Sequence, residues 1–361
     1  MPPVSVLIKP VSGKCNLRCG YCFYRNLSGL RTQKDCGLMD SETAETIVRR
    51  IFEVAEQSVS VMFQGGEPTL AGLSFYRDFI KLVSLYNRRG ATVRYGMQTN
   101  GTTIDASWCA FYREHSFQVG VSLDGIPEIH DALRAGNESG HGSFEALLVK
   151  VKQLAEYRIP FQILTVVTRQ LVPYAAELYD TMQTHRLYDL HVMPCLPEFG
   201  LETGANTPAA EEYGAFLVAL FRKWARQAQS RPLRIRLFEN LARRLQGEPV
   251  EMCALKGHCS IQYVIEADGS VYPCDFYCLD PYRLGSVQTN SLRELFASPQ
   301  ASAFLRDSLQ KDPRCTDCLY FALCRGGCSR ERVNGTPLFC AGYRMLLQEM
   351  CRYYSVKLVR R

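Results

Sequence analysis

The stretch Cys15-Asn16-Leu17-Arg18-Cys19-Gly20-Tyr21-Cys22-Phe23-Tyr24 gathers three thiols in one short loop, spaced Cys-x3-Cys-x2-Cys. It follows directly on Val4–Lys9, a β-branched run that reads as a strand. Three thiolates from one loop hold three irons of a cubane and leave the fourth iron open to an exchangeable ligand. The competing reading is structural zinc, which takes four ligands, commonly from two Cys-x2-Cys pairs. No fourth cysteine lies near Cys22, the next being Cys36. The loop therefore points to an iron–sulfur site at the end of a first strand, where α/β barrels place their chemistry.

Working outward, β-branched runs alternate with longer amphipathic stretches as far as about residue 195. The strands predicted are Val4–Lys9, Val59–Gln64, Thr92–Met97, Gln118–Leu123, Phe161–Val167 and Leu190–Pro194. Helical patterns fall between them at Ser41–Glu56, Ser74–Arg88, Ser143–Tyr157 and Pro173–His185, with Ser41 read as an N-cap before an acidic first turn. This is the signature of parallel βαβ units. The repeat count of about six falls short of a full (β/α)8 barrel, so an open, partial (β/α)6 TIM-like barrel is expected. A further helix is read over Pro208–Gln229, and a domain boundary near residue 231.

Beyond that boundary the chain is rich in Cys, Gly, Pro and Tyr, and Val264-Ile265-Glu266 with Ser270-Val271-Tyr272 reads as a hairpin through Ala267-Asp268-Gly269. Eight cysteines follow the pattern Cys253-x5-Cys259-x14-Cys274, then Cys315-x2-Cys318-x5-Cys324-x3-Cys328-x11-Cys340. Eight thiols make two complete four-thiolate sites, which would supply stability that so small a core lacks. Spacing alone leaves zinc and iron–sulfur open here, since both accept tetrahedral sulfur. Cys36, Cys109, Cys195, Cys278 and Cys351 remain over, and a buried inert thiol is the expectation for each.

Composition fits this reading. Of 361 residues, 47% are hydrophobic and 22% charged, ordinary for a chain with a real core. The formal charge of +6 would hint at acidic partners. Each fully thiolate-ligated cubane, however, adds roughly two negative charges, so no nucleic-acid binding is inferred. The first residues lack a basic, apolar export signal and no apolar run spans a bilayer, so a cytoplasmic protein is expected. In that setting the sixteen cysteines read as metal ligands rather than disulfides.

Two further segments belong with the first loop. Gln64-Gly65-Gly66-Glu67-Pro68 closes the second strand, where glycines admit close backbone approach to a ligand. Val119-Gly-Val-Ser-Leu-Asp-Gly125 sets Ser122 and Asp124 on alternate positions, and Arg134 follows. Asp275 stands beside Cys274; a carboxylate there is either solvated or functional, because burial without partners is costly.

The Cys15–Cys22 spacing, with Tyr21 before the third cysteine, resembles the radical S-adenosylmethionine (SAM) superfamily. The later cysteines resemble its SPASM domain, a small cysteine-rich α+β module. The resemblance implies a 4Fe–4S cluster on Cys15, Cys19 and Cys22 that cleaves SAM. It also implies two auxiliary 4Fe–4S clusters, one on Cys253, Cys259, Cys274 and Cys328, the other on Cys315, Cys318, Cys324 and Cys340. Tyr21, Gly66, Ser122, Arg134 and Leu196 are then the expected SAM contacts, with Arg134 pairing the SAM carboxylate. Gly269 to Tyr277, Gln64 to Ala71 and Cys22 to Tyr24 are similar to the anaerobic sulfatase-maturating enzymes, from Pro2 to Cys340; only the run between Cys328 and Cys340 is unusually short. That family oxidises a Cys or Ser of a sulfatase polypeptide to Cα-formylglycine. What it implies here is Asp275 as general base, Tyr24 and Gln64 orienting the peptide, a substrate motif Cys/Ser-x-Pro-x-Arg, and a flavodoxin or ferredoxin as electron donor. The rival expectation is another SPASM-type peptide maturase forming thioether or carbon–carbon crosslinks. Such proteins often carry an N-terminal peptide-recognition domain, for which the early first strand leaves no room.

Overall fold

The computed structural model describes residues 3–134, 143–227, 232–333 and 335–358. The predicted end of a helix at Gln229 and the boundary residue Arg231 lie outside them. Twelve strands are described: β1 (Val4–Ile8), β2 (Ser58–Phe63), β3 (Thr92–Thr99), β4 (Gln118–Ser122), β5 (Phe161–Val167), β6 (Asp189–Pro194), β7 (Arg234–Ile235), β8 (Val264–Ile265), β9 (Ser270–Tyr272), β10 (Gly285–Ser286), β11 (Arg332–Val333) and β12 (Thr336–Pro337). The chain forms two compact units interleaved along the sequence. The first comprises Met1–Ser122, Arg134–Phe161 and Ser260–Phe304; the second comprises Leu123–Leu133, Gln162–Cys259 and Leu305–Arg361.

In the first unit β1, β2, β3 and β4 pair in that order, all parallel. Val4, Val6 and Ile8 of β1 are buried, as are Val59, Val61 and Phe63 of β2, so alternate side chains feed the core. Helices Ser41–Val54, Gly72–Tyr86, Ala106–Glu114 and Phe144–Glu156 alternate with the strands, the α/β pattern expected from the periodicity. Phe63 anchors an aromatic cluster, meeting Tyr76 edge-on at 4.9 Å and Phe79 at 5.2 Å. One cap differs from expectation. Asp40, not Ser41, is the N-cap of the first long helix: its backbone is extended, and its carboxylate accepts from the Thr43 N–H at 2.7 Å. A negative charge there also meets the positive helix end, which the Ser41 hydroxyl does not supply.

The hairpin β8–β9 forms as expected, Val264 opposite Tyr272 and Ile265 opposite Val271, with Gly269 at φ +80° in its turn. Sequence alone did not place it. It adds in parallel to the outer side of β1, with Leu7 opposite Val264 and Ile8 opposite Ile265.

In the second unit β5, β6 and β7 are parallel neighbours. Helices Ala210–Ala225 and Cys340–Tyr353 cross at two glycines. A Cβ on Gly342 would come within 2.3 Å of the Ala210 carbonyl, and one on Gly214 within 2.5 Å of the Gly342 Cα, so the crossing exists only without side chains there. Among the described residues no helix is long and apolar enough to cross a membrane.

Candidate active site

The cysteine loop leaves β1 through a tight turn in which Ser12 N–H reaches the Lys9 carbonyl and Lys14 N–H the Val11 carbonyl. It is fastened to the loop after β2 by one backbone bond, from Glu67 N–H to the Lys14 carbonyl at 2.8 Å. Contact is so close that a Cβ on Gly66 would sit 2.0 Å from the Lys14 carbonyl oxygen, and one on Gly65 2.6 Å from Lys9 Cε. Both glycines also hold positive φ, +89° at Gly65 and +43° at Gly66. Gly66 is thus required by packing against the start of the cysteine loop, and Gly65 by the Lys9 side chain and its own positive φ.

Glu67 points inward and is fully buried. Its carboxylate accepts from Thr69 N–H (3.1 Å) and Oγ1 (2.5 Å), from Thr99 Oγ1 (2.7 Å) and from Asn100 N–H (2.7 Å). Burial raises its pKa and these four bonds oppose the rise. Asn100 in turn donates to Cys15 Sγ at 3.7 Å and to Asn16 Oδ1 at 2.9 Å, so the end of β3 braces the first thiol of the loop. Glu67 and Asn100 were missed as site residues. Their role arises from a fold-back between three strand ends, which no local pattern displays.

Of the expected SAM contacts, Gly66, Tyr21, Ser122 and Arg134 belong to the first unit and Leu196 to the second. Ser122 Oγ accepts from Gln98 Nε2 at 3.1 Å at the end of β4. Arg134 is buried, with its guanidinium 5.3 Å from the Tyr21 ring centroid, so the aromatic residue before the third cysteine and this arginine form a pair.

The hairpin delivers Asp275. Far from being a solvated loop carboxylate, it is 6% exposed. Its Oδ2 accepts from the Tyr24 hydroxyl at 2.5 Å and from Gln64 Nε2 at 3.0 Å, and Gln64 also donates to the Tyr24 oxygen at 2.7 Å. Its Oδ1 is buried with no hydrogen-bond partner among the described residues. Burial pushes the Asp275 carboxyl above its ordinary value, while Lys9 and the Tyr24 bond pull it down. The Tyr24 hydroxyl is raised as well, first by burial and then by the neighbouring Asp275, so it stays a donor.

Beneath this triangle lies a buried ion triad that sequence reading overlooked. Glu266 Oε1 accepts from Lys9 Nζ and from Arg31 Nη1, both at 2.6 Å. Lys9 Nζ also stands 4.8 Å from the Tyr24 ring centroid. Burial lowers the Lys9 pKa, but the attraction of Cys278, Glu266 and Asp275 outweighs it, and the ammonium stays charged.

The later cysteines sort as far as each unit allows. Cys315, Cys318, Cys324 and Cys340 line one pocket together with Tyr343 and Arg344. Cys253, Cys259 and Cys328 are electrostatic neighbours in the second unit: burial and then Glu331 push the Cys328 thiol up to about 12, with smaller contributions from Cys253 and Cys259. Cys274 belongs to the first unit. Among the described residues no three His, Cys, Asp or Glu gather closely enough for a single metal ion. A pocket walled by four thiols suits a larger inorganic core. Of the remaining cysteines, Cys109, Cys195 and Cys278 are buried, while Cys36 and Cys351 are half-buried.

Residues 10–174 match the model of the radical SAM superfamily, and residues 256–319 that of an iron–sulfur cluster-binding domain, SPASM. A cysteine-type anaerobic sulfatase-maturating enzyme of Clostridium novyi is 40% identical over 97% of this chain and 96% of its own length. The chain belongs to the anaerobic sulfatase-maturating enzymes. A solved structure of one such enzyme, anSMEcpe with bound AdoMet and the Cp18Cys peptide, matches with a TM-score of 0.91 at 35% identity, covering 98% of this chain and 99% of that one. A serine-type enzyme of Klebsiella aerogenes is more distant, 29% identical over 94% of this chain and 84% of its own length. Membership brings SAM and three 4Fe–4S clusters as cofactors. The residues fit that load: three thiols at a loop braced by Asn100, a glycine cradle at Gly65–Gly66, and a four-thiol pocket.

Proposed function

We propose that this enzyme oxidises a cysteine of a sulfatase polypeptide to Cα-formylglycine, with Asp275 as the general base. The observation that carries the reading is the convergence of Tyr24 and Gln64 on the buried Asp275 carboxylate, whose Oδ1 is left without a partner among the described residues. Cysteine is preferred to serine because the cysteine-type relative is 40% identical and the serine-type one 29%.

Cys15, Cys19 and Cys22 would hold the cluster that acts on SAM, and when bound these cofactors would supply hydrogen-atom removal at the substrate Cβ and, at the later cysteines, an acceptor for one electron. The chain's residues manage the proton. Asp275 Oδ1 accepts the substrate thiol, while Tyr24 and Gln64 hold Oδ2 and fix the carboxylate plane. The substrate thus loses a hydrogen atom, a proton and an electron, giving a thioaldehyde that exchanges sulfur for water. Tyr21, Gly66, Ser122, Arg134 and Leu196 would hold SAM, with Arg134 the partner for its carboxylate. Cys253, Cys259, Cys274 and Cys328 form one auxiliary set, and Cys315, Cys318, Cys324 and Cys340 the other. Residues 1–230 would make up the radical SAM partial barrel, and residues 231–361 the SPASM domain with two auxiliary 4Fe–4S clusters. A Cys-x-Pro-x-Arg peptide is the minimal substrate, a flavodoxin or ferredoxin the electron donor, and the cytoplasm the working compartment.

The test is mass spectrometry of such a peptide after anaerobic turnover, with 5′-deoxyadenosine measured alongside. Asp275→Asn is expected to keep SAM cleavage and to lower formylglycine formation by about 10²–10⁴-fold. An undiminished aldehyde yield in that variant would remove Asp275 as the base.

A further inference from the structure

One side chain of the second unit reaches towards both auxiliary cysteine sets. Arg332 opens β11, and its four hydrogen bonds all go to backbone carbonyls: Nε to Gly326 (2.8 Å), Nη2 to Gly327 (2.6 Å), and Nη1 to Ser308 (2.8 Å) and Gln310 (3.0 Å). Its chain neighbour Glu331 turns instead to Tyr343, whose hydroxyl donates to it at 3.4 Å.

The carbonyls chosen are the informative part. Gly326 and Gly327 form a turn at φ +80° and +65°, and the Gly326 N–H donates to Cys324 Sγ at 3.5 Å. Cys324 lines the four-cysteine pocket. At the other end, Ser308 Oγ accepts from the Cys259 N–H at 3.0 Å, and Cys259 Sγ lies 3.3 Å from Ser329 Oγ. The Ser308 carbonyl also takes Lys311 Nζ at 2.6 Å, so two cations meet on one oxygen between the sets. Lys311 registers both: burial and Arg332 lower its pKa, while Cys259 and Cys315 raise it.

Each cluster on four thiolates carries net negative charge, and reduction adds one more. A fixed positive charge and N–H bonds to the ligand sulfurs favour the reduced state. Arginine suits the task because it never loses its proton and its fork can hold several carbonyls at once.

We propose that Arg332 bridges the two auxiliary iron–sulfur sites and raises both their potentials together, so that both become better acceptors of the electron leaving the substrate. This rests on the reading of the two cysteine sets as cluster ligands. Arg332 acts through the Gly326–Gly327 turn and Ser308, and is a positioning residue rather than a catalytic one.

The experiment is an EPR-monitored redox titration of the anaerobically reconstituted holoenzyme, comparing wild type with Arg332→Gln and Arg332→Lys. Arg332→Gln is expected to retain about twelve irons per chain, to lower both auxiliary midpoint potentials, and to leave that of the Cys15–Cys19–Cys22 cluster in place. Arg332→Lys, with charge but no fork, should fall between. Unchanged auxiliary potentials in an iron-replete Arg332→Gln protein would overturn the proposal, as would an equal shift of all three clusters. If Arg332→Gln sheds iron, the test passes to an iron-replete Arg332→Lys: auxiliary midpoints lowered from wild type with the Cys15–Cys19–Cys22 cluster in place support the proposal, and unchanged auxiliary midpoints overturn it. Iron loss in both variants would show that the side chain only holds the loops, and sink it. Wild-type protein with only about four irons per chain would remove the auxiliary clusters themselves, a different failure.

Discussion

Replacing Glu266 by Gln keeps the shape of the side chain and removes the one anion between Lys9 and Arg31. All three are buried, with side chains 0%, 3% and 2% exposed, and each cation lies 2.6 Å from the same Oε1. At an effective dielectric constant near 20, Coulomb attraction at that distance is about 6 kcal/mol per pair before desolvation is subtracted. Breaking a buried pair typically costs about 3–5 kcal/mol net, because the partner charge is left behind. Two cations are stranded here, so the expected loss is at the top of that range. For a unit of this size it corresponds to a fall in Tm of roughly 10–20 °C.

The assay is anaerobic thermal unfolding followed by circular dichroism at matched iron content and one scan rate, since unfolding with cluster loss is irreversible. A triple variant, Lys9→Met, Arg31→Met and Glu266→Leu, should be far less damaged than the single one, because it strands no charge. A Tm for Glu266→Gln within about 2 °C of wild type would refute the reasoning. The pH dependence has a definite sign. Burial works to raise the Glu266 pKa, but Lys9 and Arg31 hold it below the ordinary glutamate value. Its contribution is therefore complete above about pH 4.3 and lost as pH falls through the lower folded value. The variant should lack that acid-side loss. Lys9 is raised, so its share is complete below about pH 10.4 and lost only as pH climbs through the higher folded value.

Two further outcomes follow from the cysteine loop. Gly66→Ala places a methyl 2.0 Å from the Lys14 carbonyl at a φ of +43°, so the loop must move. A displacement of about 1 Å at a reacting centre costs about 100-fold, so 5′-deoxyadenosine release should drop by that order while auxiliary iron is kept; a rate within about twofold of wild type would show that the contact is soft. Cys15→Ala should abolish SAM cleavage and take the iron content from about twelve to about eight per chain. Persistent deoxyadenosine release would undo the assignment of that cluster.

The parallel strands β1 to β6, in both units, were legible because their signals are local. Phe161–Val167 was read to the residue, and the alternation of β-branched runs with amphipathic helices marked every parallel strand from β1 to β6. Local chemistry was also where small errors entered: Asp40 and Ser41 are both good N-caps, and only backbone geometry separates them. The helix Cys340–Tyr353 went unread because it begins on a cysteine of a metal-site pattern, which masked its apolar face. The ion triad was invisible for a different reason. Lys9 and Glu266 are 257 residues apart, and nothing in either segment announces the other.

That long-range pairing explains why the chemistry is built where it is. β1 ends at Ile8, and the same strand carries two attachments: the turn that launches the cysteine loop, and the hairpin β8–β9 paired at Leu7 and Ile8. Lys9 N–H continues the pairing by reaching the Ile265 carbonyl at 2.9 Å, and its side chain then crosses to Glu266 beside Tyr24. The cysteine loop and the segment that carries Asp275 therefore hang from one strand end, locked by a buried charge cluster. A hydrogen atom and a proton must leave one substrate residue in concert with an electron, and misplacement by a single ångström is costly. Slippage between β1 and β8 would move Asp275 relative to the Cys15–Cys22 loop, so on the proposed mechanism substitutions in this pairing should lower aldehyde yield before they lower SAM cleavage.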